Sequence, residues 1–296
     1  MDKLIKKAFT LIELLVVIAI IGILSGLIVV SMSGLTQKAT VAKAQVFSNS
    51  LRNSLMLNLV AEYKLEGNVN NSWSSNYNGS LVGVTASTDC IFGYCYYFDG
   101  DNDLISLSSS LIFTPTQPWS FEHWMKWDMT NRVDTHVFYA GAGGVRPNML
   151  LRYADNNRFV FRSNGFGTSA YLLFPLDSSN SYLNKWTHLV WSADGNGNLY
   201  LYINGIFLGN LGSSGAVDSS MDFSFVGRGY SARDYITYPG NTYYFKGIID
   251  EIRIYNAAIP TSQIKEQYYS GLNKLLANGS ISQSEYLKII NETAQK

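Results

Sequence analysis

The first sixty residues carry a different pattern of apolar and polar positions from the rest of the chain. From Leu14 through Gln37 no side chain is charged, and a helix of that length can cross the roughly 30 Å apolar core of a bilayer. The pattern predicts one helix from Phe9 to about Val60, roughly 80 Å long at 1.5 Å per residue. From Leu35 onward, apolar residues recur at helical spacing: Leu35, Ala39, Ala42, Val46, Phe47, Leu51, Leu55 and Leu59.

Glu13 is a lone carboxylate just before this apolar run. An acid at the edge of a membrane-spanning helix is costly unless a partner neutralises it, which makes Glu13 a candidate for a functional contact. The alternative is a residue that stays solvated at the level of the lipid headgroups.

Past Glu62 the chain changes to turn-forming residues and short alternating segments. Gly67 to Ser72 and Asn76 to Gly79 are rich in Gly and Asn, which favour turns. Asn204-Gly205 separates two apolar segments and predicts a tight hairpin. Short strand-like segments recur up to about residue 256 and predict an all-β antiparallel sandwich or jelly roll. Examples are 96–98, 104–107, 158–161, 187–191 and 199–203.

Helical spacing returns after Gly271. Asn278-Gly279 predicts a turn, and Ser282 to Glu285 predicts a capping box at the start of a last helix. Leu287, Ile289 and Ile290 could form a small docking face, the alternative being an exposed hairpin or a frayed tail. The fold class is therefore α+β and modular: a long helix, an all-β head and a short helical tail.

The N-terminal run Lys6-Lys7-Ala8-Phe9-Thr10-Leu11-Ile12-Glu13-Leu14 resembles the type IV prepilin signature. The resemblance implies a leader of residues 1–8, a cut between Ala8 and Phe9 by a membrane peptidase, and methylation of the new amine. It also implies that Glu13 faces the Phe9 amine of a neighbouring subunit in a filament. Two features depart from the family pattern: Ala8 stands where the family prefers Gly, and the 27–31 segment lacks a proline.

This resemblance also implies a location and partners. The precursor is expected in the cytoplasmic membrane as a single-pass protein with its head outside, and the mature chain in an extracellular pilus. Its partners would be the peptidase, the assembly machinery and other copies of the chain. A secretory signal peptide is the alternative, but its apolar core spans only about 7 to 15 residues.

Several segments in the middle of the chain resemble, in their order, laminin-G-like domains with the concanavalin-type jelly roll. The resemblance covers about residues 61–269 and implies that fold for the head, with 9–60 as the helix before it and 270–296 as the tail. Pro260 to Ile264 is similar to the short helix that closes such domains. The other segments are 62–67, 98–103, 185–188, 201–205 and 245–256.

Composition supports an exported β-rich protein. Lys plus Arg and Asp plus Glu both number 22, so the formal net charge is zero and nothing favours nucleic acid. Charged residues make up 15% and aromatic residues 14%, a bias typical of sheets with an uncharged polar surface. Cys90 and Cys95 are the two cysteines, and in an exported chain this short spacing favours a disulfide over a pair of free buried thiols.

Catalysis is not indicated by the sequence. Concanavalin-type glycosidases need an acid and a nucleophile about 5 to 5.5 Å apart, and no strand-like segment here carries two carboxylates at the i, i+2 spacing of one face. Asp250 and Glu251 are adjacent, so they are expected on opposite faces. His188, between Trp186 and Trp191, is interpreted as a satisfied core histidine.

A structural calcium ion is a further expectation from the laminin-G resemblance. In that family an acidic side chain of the last strand and oxygens of an early loop hold the ion. Asp250 matches the first role, and Glu66, Asn68 or Asn78 could supply the second, since calcium prefers oxygen ligands. The alternative is that Asp250 accepts hydrogen bonds from turn amides and no ion is present.

Aromatic residues near turns are candidates for stacking on sugars, although most aromatic residues in a sandwich belong to the core. Tyr230 and Tyr235, in the segment from Arg228 to Tyr235, are the first candidates for ligand contacts. The others are Trp73, Tyr77, Trp127, Tyr139 and Tyr238.

Three functions are compatible with the sequence. The chain could be a structural pilin-like subunit, a minor or tip subunit whose head is an adhesin, or a pseudopilin of a secretion or DNA-uptake machine. All three are non-enzymatic, and the abundance of the chain in surface fibres separates them.

Overall fold

The computed structural model describes residues 11–25, 56–107, 111–114, 116–128, 138–140, 149–154, 158–164, 169–175, 182–210, 221–230 and 242–294. The chain divides into two compact units, Met1–Asn53 and Ser54–Lys296. The second unit, called the head below, contains all the strands of the described residues.

In the first unit, residues 11–25 form helix α1. Its large apolar side chains are exposed, from Leu11 at 81% to Leu24 at 53%. Within the described residues, no helix combines the length and the apolar character needed to span a membrane. The remainder of the predicted long helix up to residue 55, and the proposed cleavage site at Ala8 and Phe9, lie outside the described residues.

The head begins earlier than the sequence indicated. Leu59 and Val60, placed by their helical spacing at the end of the long helix, belong instead to the first strand. Leu59 pairs with Tyr255 and is buried in a cluster with Val190 and Ile264. Its apolar side chain therefore serves the head and does not extend the helical stripe.

Eighteen strands are assigned in the described residues, and many are short, as predicted for a sandwich. They are β1 Leu59–Tyr63, β2 Gly79–Val82, β3 Thr85–Ser87, β4 Cys95–Asp99, β5 Leu104–Leu107, β6 Ile112–Phe113, β7 Trp119–Trp127, β8 Phe138–Ala140, β9 Met149–Ala154, β10 Arg158–Asn164, β11 Ser169–Pro175, β12 Trp186–Ala193, β13 Leu199–Ile203, β14 Ile206–Asn210, β15 Met221–Val226, β16 Arg228–Tyr230, β17 Thr242–Tyr244 and β18 Lys246–Tyr255.

Two large sheets build the head. The first sheet has the order β14-β13-β12-β7-β18-β4-β3, with β1 also paired to β18, and the second has the order β11-β10-β9-β8-β15-β5-β2, with β6 paired to β15. Strands β16 and β17 form a small third sheet. The β18–β7 and β12–β7 pairs at the centre of the first sheet are antiparallel, and the predicted jelly-roll sandwich is confirmed.

The main core lies between the two large sheets. Phe121 and Trp191 of the first sheet share one buried cluster with Ile105 and Val226 of the second. Alternate residues of β7 enter this core because side chains alternate across a strand, so Phe121 and Met125 point inward while Glu122 and Trp124 lie on the outer face. The predicted Asn204-Gly205 hairpin is also present, with positive φ of 52° and 75° at its two turn residues.

Two C-terminal helices complete the head: α2, Thr261–Ala277, and α3, Gln283–Ala294. The closing segment after Pro260 and the helical pattern past Gly271 are therefore one helix. Its buried residues Ile264, Tyr268 and Leu272 cover the outer face of the first sheet, since Tyr268 stacks on Trp124 at 5.7 Å between ring centroids.

The predicted capping box begins α3. Ser282 Oγ accepts a hydrogen bond from the Glu285 amide at 3.2 Å, and Glu285 Oε2 accepts one from the Ser282 amide at 2.9 Å. Of the predicted docking face, Ile289 and Ile290 pack on the head's own Trp124–Tyr268 cluster. Leu287 remains 50% exposed, so this face is largely used within the head.

Candidate functional sites

The N-terminal site rests on Glu13 in helix α1. Glu13 is the only charged residue among residues 11–25, which otherwise carry mostly apolar side chains. A helix that is apolar on all sides requires burial in a bilayer or against other helices. The geometry between Glu13 and the amine of Phe9 lies outside the described residues.

A network of buried charges lies between the first sheet and helix α2. Glu122 of β7 is at its centre: Oε1 accepts hydrogen bonds from His188 Nε2 at 3.0 Å and from Arg253 Nη1 at 3.3 Å. Oε2 accepts one from the Tyr255 hydroxyl at 3.1 Å. Arg253 also donates to Glu62 Oε1 at 2.9 Å and to Glu251.

Helix α2 covers this network on the outer face of the first sheet and bonds two of its members. Lys274 Nζ lies 2.6 Å from Glu251 Oε1, and Gln267 Nε2 donates to the Tyr255 hydroxyl at 3.3 Å. The network therefore ties strands β1, β7, β12 and β18 to the helix that covers them.

A β-bulge in β18 brings two adjacent carboxylates to one face, which corrects the expectation that Asp250 and Glu251 face opposite sides. The register with β7 shifts between Asp250 and Arg253, and Glu251 has a positive φ of 51°. Ile249 and Ile252 both enter the main core, so the extra residue places Asp250 and Glu251 together on the outer face.

The charges in the network hold one another in their ionised forms. Burial alone would raise the pKa of Glu122, but the hydrogen bond from His188 and the charge of Arg253 outweigh it and lower that pKa. Burial alone would lower the pKa of Arg253, yet the charges of Glu251 and Glu122 raise it well above its ordinary value. Burial alone would also raise the pKa of Glu62, but the charge of Arg253 and hydrogen bonds to the carboxylate outweigh it and lower the pKa of Glu62.

This arrangement joins separate strands to the covering helix, and its central pair is closed to solvent. Glu122 and His188 have no exposed side-chain surface, and both are covered by α2, because the His188 ring lies 6.0 Å from the Tyr268 ring. The interpretation of His188 as a satisfied histidine holds for Nε2, which is bonded to Glu122, but among the described residues the buried Nδ1 has no hydrogen-bond partner. The side chain lies on the outer face of the first sheet and not between the sheets. Sequence spacing missed the network because its members come from five separate segments.

Asp250 is held by backbone amides. Its Oδ2 accepts a hydrogen bond from the Ile91 amide at 2.9 Å, and its Oδ1 accepts one from the Glu251 amide at 2.8 Å. Burial, followed by the charge of Glu251, raises its pKa to about 8. With both oxygens accepting from backbone amides, Asp250 has the geometry of the alternative role, an acceptor for turn amides.

In the described part of the chain, the cluster of possible ligand atoms around Asp250 consists of Cys90 and Cys95. These two form a disulfide, with an S–S distance of 2.09 Å, so their sulfur atoms are not free thiolates. Glu66 instead accepts a hydrogen bond from the Tyr94 amide at 3.0 Å, and Asn68 bonds the Glu66 carbonyl at 3.3 Å.

The aromatic residues predicted as sugar contacts differ in how far their side chains are exposed. Trp127 is 1% exposed in the main core, so its candidacy as a sugar contact is wrong. Tyr77 packs partly against that core, and Trp73 is 42% exposed. Tyr139 and Tyr230 lie in strands β8 and β16, and Tyr235 and Tyr238 lie outside the described residues.

The two antiparallel sheets define the head as a jelly-roll domain. A family model described as the concanavalin A-like lectin/glucanases superfamily (Laminin_G_3) matches residues 99–265. The match covers more than half of the chain, and the chain belongs to that superfamily. A model of the prokaryotic N-terminal methylation motif matches residues 5–29, which confirms the prepilin signature. The chain is thus pilin-like, with a lectin-like head.

Solved structures with the same fold include two binding domains. The binding domain of Paraclostridial Mosquitocidal Protein 1 is 18% identical, with a TM-score of 0.56 over 74% of this chain and 53% of that one. The Botulinum Neurotoxin serotype G binding domain is 16% identical, with a TM-score of 0.53 over 73% and 51%. This chain therefore spans about half the length of those domains, and the likeness concerns the fold alone. No curated protein matches the chain.

Proposed function

We propose that this chain is a structural subunit of a type IV pilus-like surface filament. The observation that carries the proposal is the N-terminal methylation motif at residues 5–29 joined to helix α1, whose apolar side chains from Leu11 to Leu24 are exposed. Such a surface is stable only in a bilayer or against other helices. The precursor is anchored in the membrane, a peptidase removes residues 1–8, and the helices then bundle into the filament.

Glu13 is the assembly contact in this proposal. Its carboxylate would neutralise the new amine of Phe9 on a neighbouring subunit, which satisfies both charges in an apolar bundle. Glu13→Ala is expected to leave processing and head folding intact and to abolish fibres seen by electron microscopy of sheared cells. Glu292→Ala, on the exposed surface of α3, is the matched control and should assemble normally. Normal fibres from Glu13→Ala would refute the proposal.

A second role, as a minor or tip adhesin, is favoured by the lectin-type superfamily of the head. The two roles differ in copy number. Mass spectrometry of purified fibres should find this chain as the main component if it is structural, and in trace amounts if it is an adhesin. Its absence from fibres would favour a pseudopilin of a secretion or DNA-uptake machine.

A further inference from the structure

A disulfide and a buried carboxyl group meet beneath the loop between β3 and β4. Cys90 and Cys95 are 2% and 0% exposed, and Asp250 has no exposed surface. The two Sγ atoms and a carboxylate oxygen of Asp250 all lie within 4.8 Å of one another. Among the described residues, this is the one group of His, Cys, Asp and Glu side chains whose ligand atoms come together in this way. The fold thus adds a carboxylate from β18 to a pair of cysteines that is local in the sequence.

Backbone amides hold the Asp250 carboxylate beside the sulfur atoms. Its Oδ2 accepts from the Ile91 amide, inside the loop that the two cysteines close, and its Oδ1 accepts from the Glu251 amide. Carboxylates that bind metals are commonly hydrogen-bonded in this way, because the bonds fix the orientation of the oxygens. Each carboxylate oxygen has a second lone pair, so these hydrogen bonds leave room for coordination.

The surroundings of the sulfur atoms suit two thiols as well as a disulfide. The Ser87 carbonyl oxygen lies 3.1 Å from Cys90 Sγ, and the Asp89 carbonyl oxygen lies 3.4 Å from Cys95 Sγ. A thiol can donate a hydrogen bond to such an oxygen, whereas a disulfide has no hydrogen to donate. Reduction would therefore produce two buried thiols whose acceptors are already in place.

The chemistry of the three ligand atoms points to zinc. Zinc binds both thiolate sulfur and carboxylate oxygen, while soft thiolate ligands disfavour calcium and magnesium. Tetrahedral zinc places such ligand atoms roughly 3.6 to 3.8 Å apart, a distance that the sulfur atoms can reach once the S–S bond is broken. The sequence separation of 5 between the cysteines is within the spacing typical of paired zinc-binding cysteines. Two thiolates also balance the charge of Zn²⁺, which a buried ion requires.

We propose that the reduced head binds one zinc ion through Cys90, Cys95 and Asp250. A dithiol reductant breaks the S–S bond: two electrons and two protons pass to the cysteine sulfur atoms, and the two thiols of the reductant become a disulfide. As the Zn–S bonds form, the two cysteine thiol protons are released to water, and water completes the fourth position of the metal. The loop is thus closed by a covalent bond under oxidising conditions and by zinc under reducing conditions.

The test uses the full-length chain in detergent, unfolded in urea with a phosphine reductant. The phosphine converts the disulfide to two thiols and itself becomes a phosphine oxide with the oxygen of water. Urea is then removed in the presence of the reductant, with and without Zn²⁺. After gel filtration, reduced wild type should carry one zinc ion per chain by elemental mass spectrometry, and wild type refolded without reductant should carry none. Zinc should also raise the melting temperature of the reduced head.

Two variants and one control identify the ligands. Asp250→Asn and Cys90→Ser should each weaken the zinc affinity of the reduced chain by about tenfold or more, measured by competition with a chromophoric chelator. Asp101→Asn, at an exposed carboxylate between β4 and β5, is the matched control and should bind zinc as wild type does. Circular dichroism checks the folding of each variant, and Cys90→Ser keeps the test valid if Asp250→Asn fails to fold. Co²⁺ in place of zinc should give the intense visible bands of a tetrahedral site and a sulfur-to-cobalt charge-transfer band.

Three outcomes would overturn the proposal: no zinc bound by reduced wild type, whether or not it refolds, equal zinc content in the oxidised protein, or affinities of the folded variants within about twofold of wild type. The last two results would mean adventitious binding elsewhere on the chain. Refolding of the reduced chain that requires zinc would support the proposal. The site concerns the head alone, so the outcome of Glu13→Ala for fibre assembly does not affect this test.

Discussion

His188 Nε2 lies 3.0 Å from Glu122 Oε1, and neither side chain has any exposed surface. The His188 ring packs against Trp124, 4.9 Å away, and Tyr268, 6.0 Å away, measured between ring centroids. Since Tyr268 belongs to helix α2, this pair joins the central strands of the first sheet to the helix that covers them. The contribution of the His188–Glu122 pair can be measured as a change in the free energy of unfolding of the head.

Glu122→Gln should destabilise the head by about 1 to 3 kcal/mol. Arg253 keeps the carboxylates of Glu62 and Glu251, but one buried acceptor oxygen of Glu122 becomes an amide nitrogen, which leaves a neighbouring donor without its acceptor. The measurement is urea unfolding of the full-length chain in detergent, followed by tryptophan fluorescence. Glu292→Gln is the matched control, since Glu292 lies 3.9 Å from Lys288 in an exposed pair, and a surface change of this kind stays within about 0.5 kcal/mol. Similar losses in both variants would contradict the network's role.

His123 should make the head sensitive to acid. It is 1% exposed on the core side of β7, and burial, with the charge of His188, lowers its pKa to about 3. The unfolded chain has an ordinary histidine pKa of about 6.5, so between these values the unfolded state binds a proton that the folded state does not. Stability contributed by neutral His123 is therefore present above about pH 6.5 and lost as the pH falls, by up to about 1.4 kcal/mol per pH unit.

The check is urea unfolding of wild type and His123→Phe from pH 7 to pH 4. Because other groups titrate in both proteins, the difference between the two free energies of unfolding isolates His123. That difference should move in favour of His123→Phe as the pH falls. A difference that is constant with pH would show that His123 does not control the acid response.

Local patterns predicted the elements of the head far better than its polar contacts. The Asn204-Gly205 turn and the capping box from Ser282 to Glu285 each depend on residues close together in the chain, so both could be predicted from the sequence. The Glu122–Arg253 contact joins residues 131 apart in the chain. The bulge that places the Asp250 and Glu251 side chains on the same face of β18 has no local sequence signature.

Leu59 was assigned to the helix because its spacing fits a helical stripe, but pairing with Tyr255 outweighs that preference.

Asp250 provides a direct test of the calcium hypothesis. If its oxygens serve the Ile91 and Glu251 amides, adding a calcium chelator should leave the melting temperature of the head unchanged. Asp250→Asn should still destabilise the head, by about 1 to 3 kcal/mol, because the Asn amide nitrogen would face a backbone N–H and leave it unsatisfied. Asp89→Asn is the control, as Asp89 is 45% exposed in its pair with Lys126. A chelator-dependent fall in melting temperature would establish a calcium site and restore the role expected from the laminin-G resemblance.

Ala8 should limit the rate of precursor processing. The family prefers Gly before the cut, and the extra methyl group of Ala8 occupies space that a glycine-adapted peptidase pocket would leave empty. Ala8→Gly is therefore expected to shorten the half-life of the precursor in a pulse-chase experiment, read as the loss of residues 1–8 on a gel. Gly22→Ala makes the opposite exchange beyond the cut, where a Cβ meets no atom within 4 Å, and should leave the rate unchanged. Equal half-lives for Ala8→Gly and wild type would show that the residue before the cut does not limit processing, and cleavage at any other bond would refute the assignment of Phe9 as the mature N-terminus.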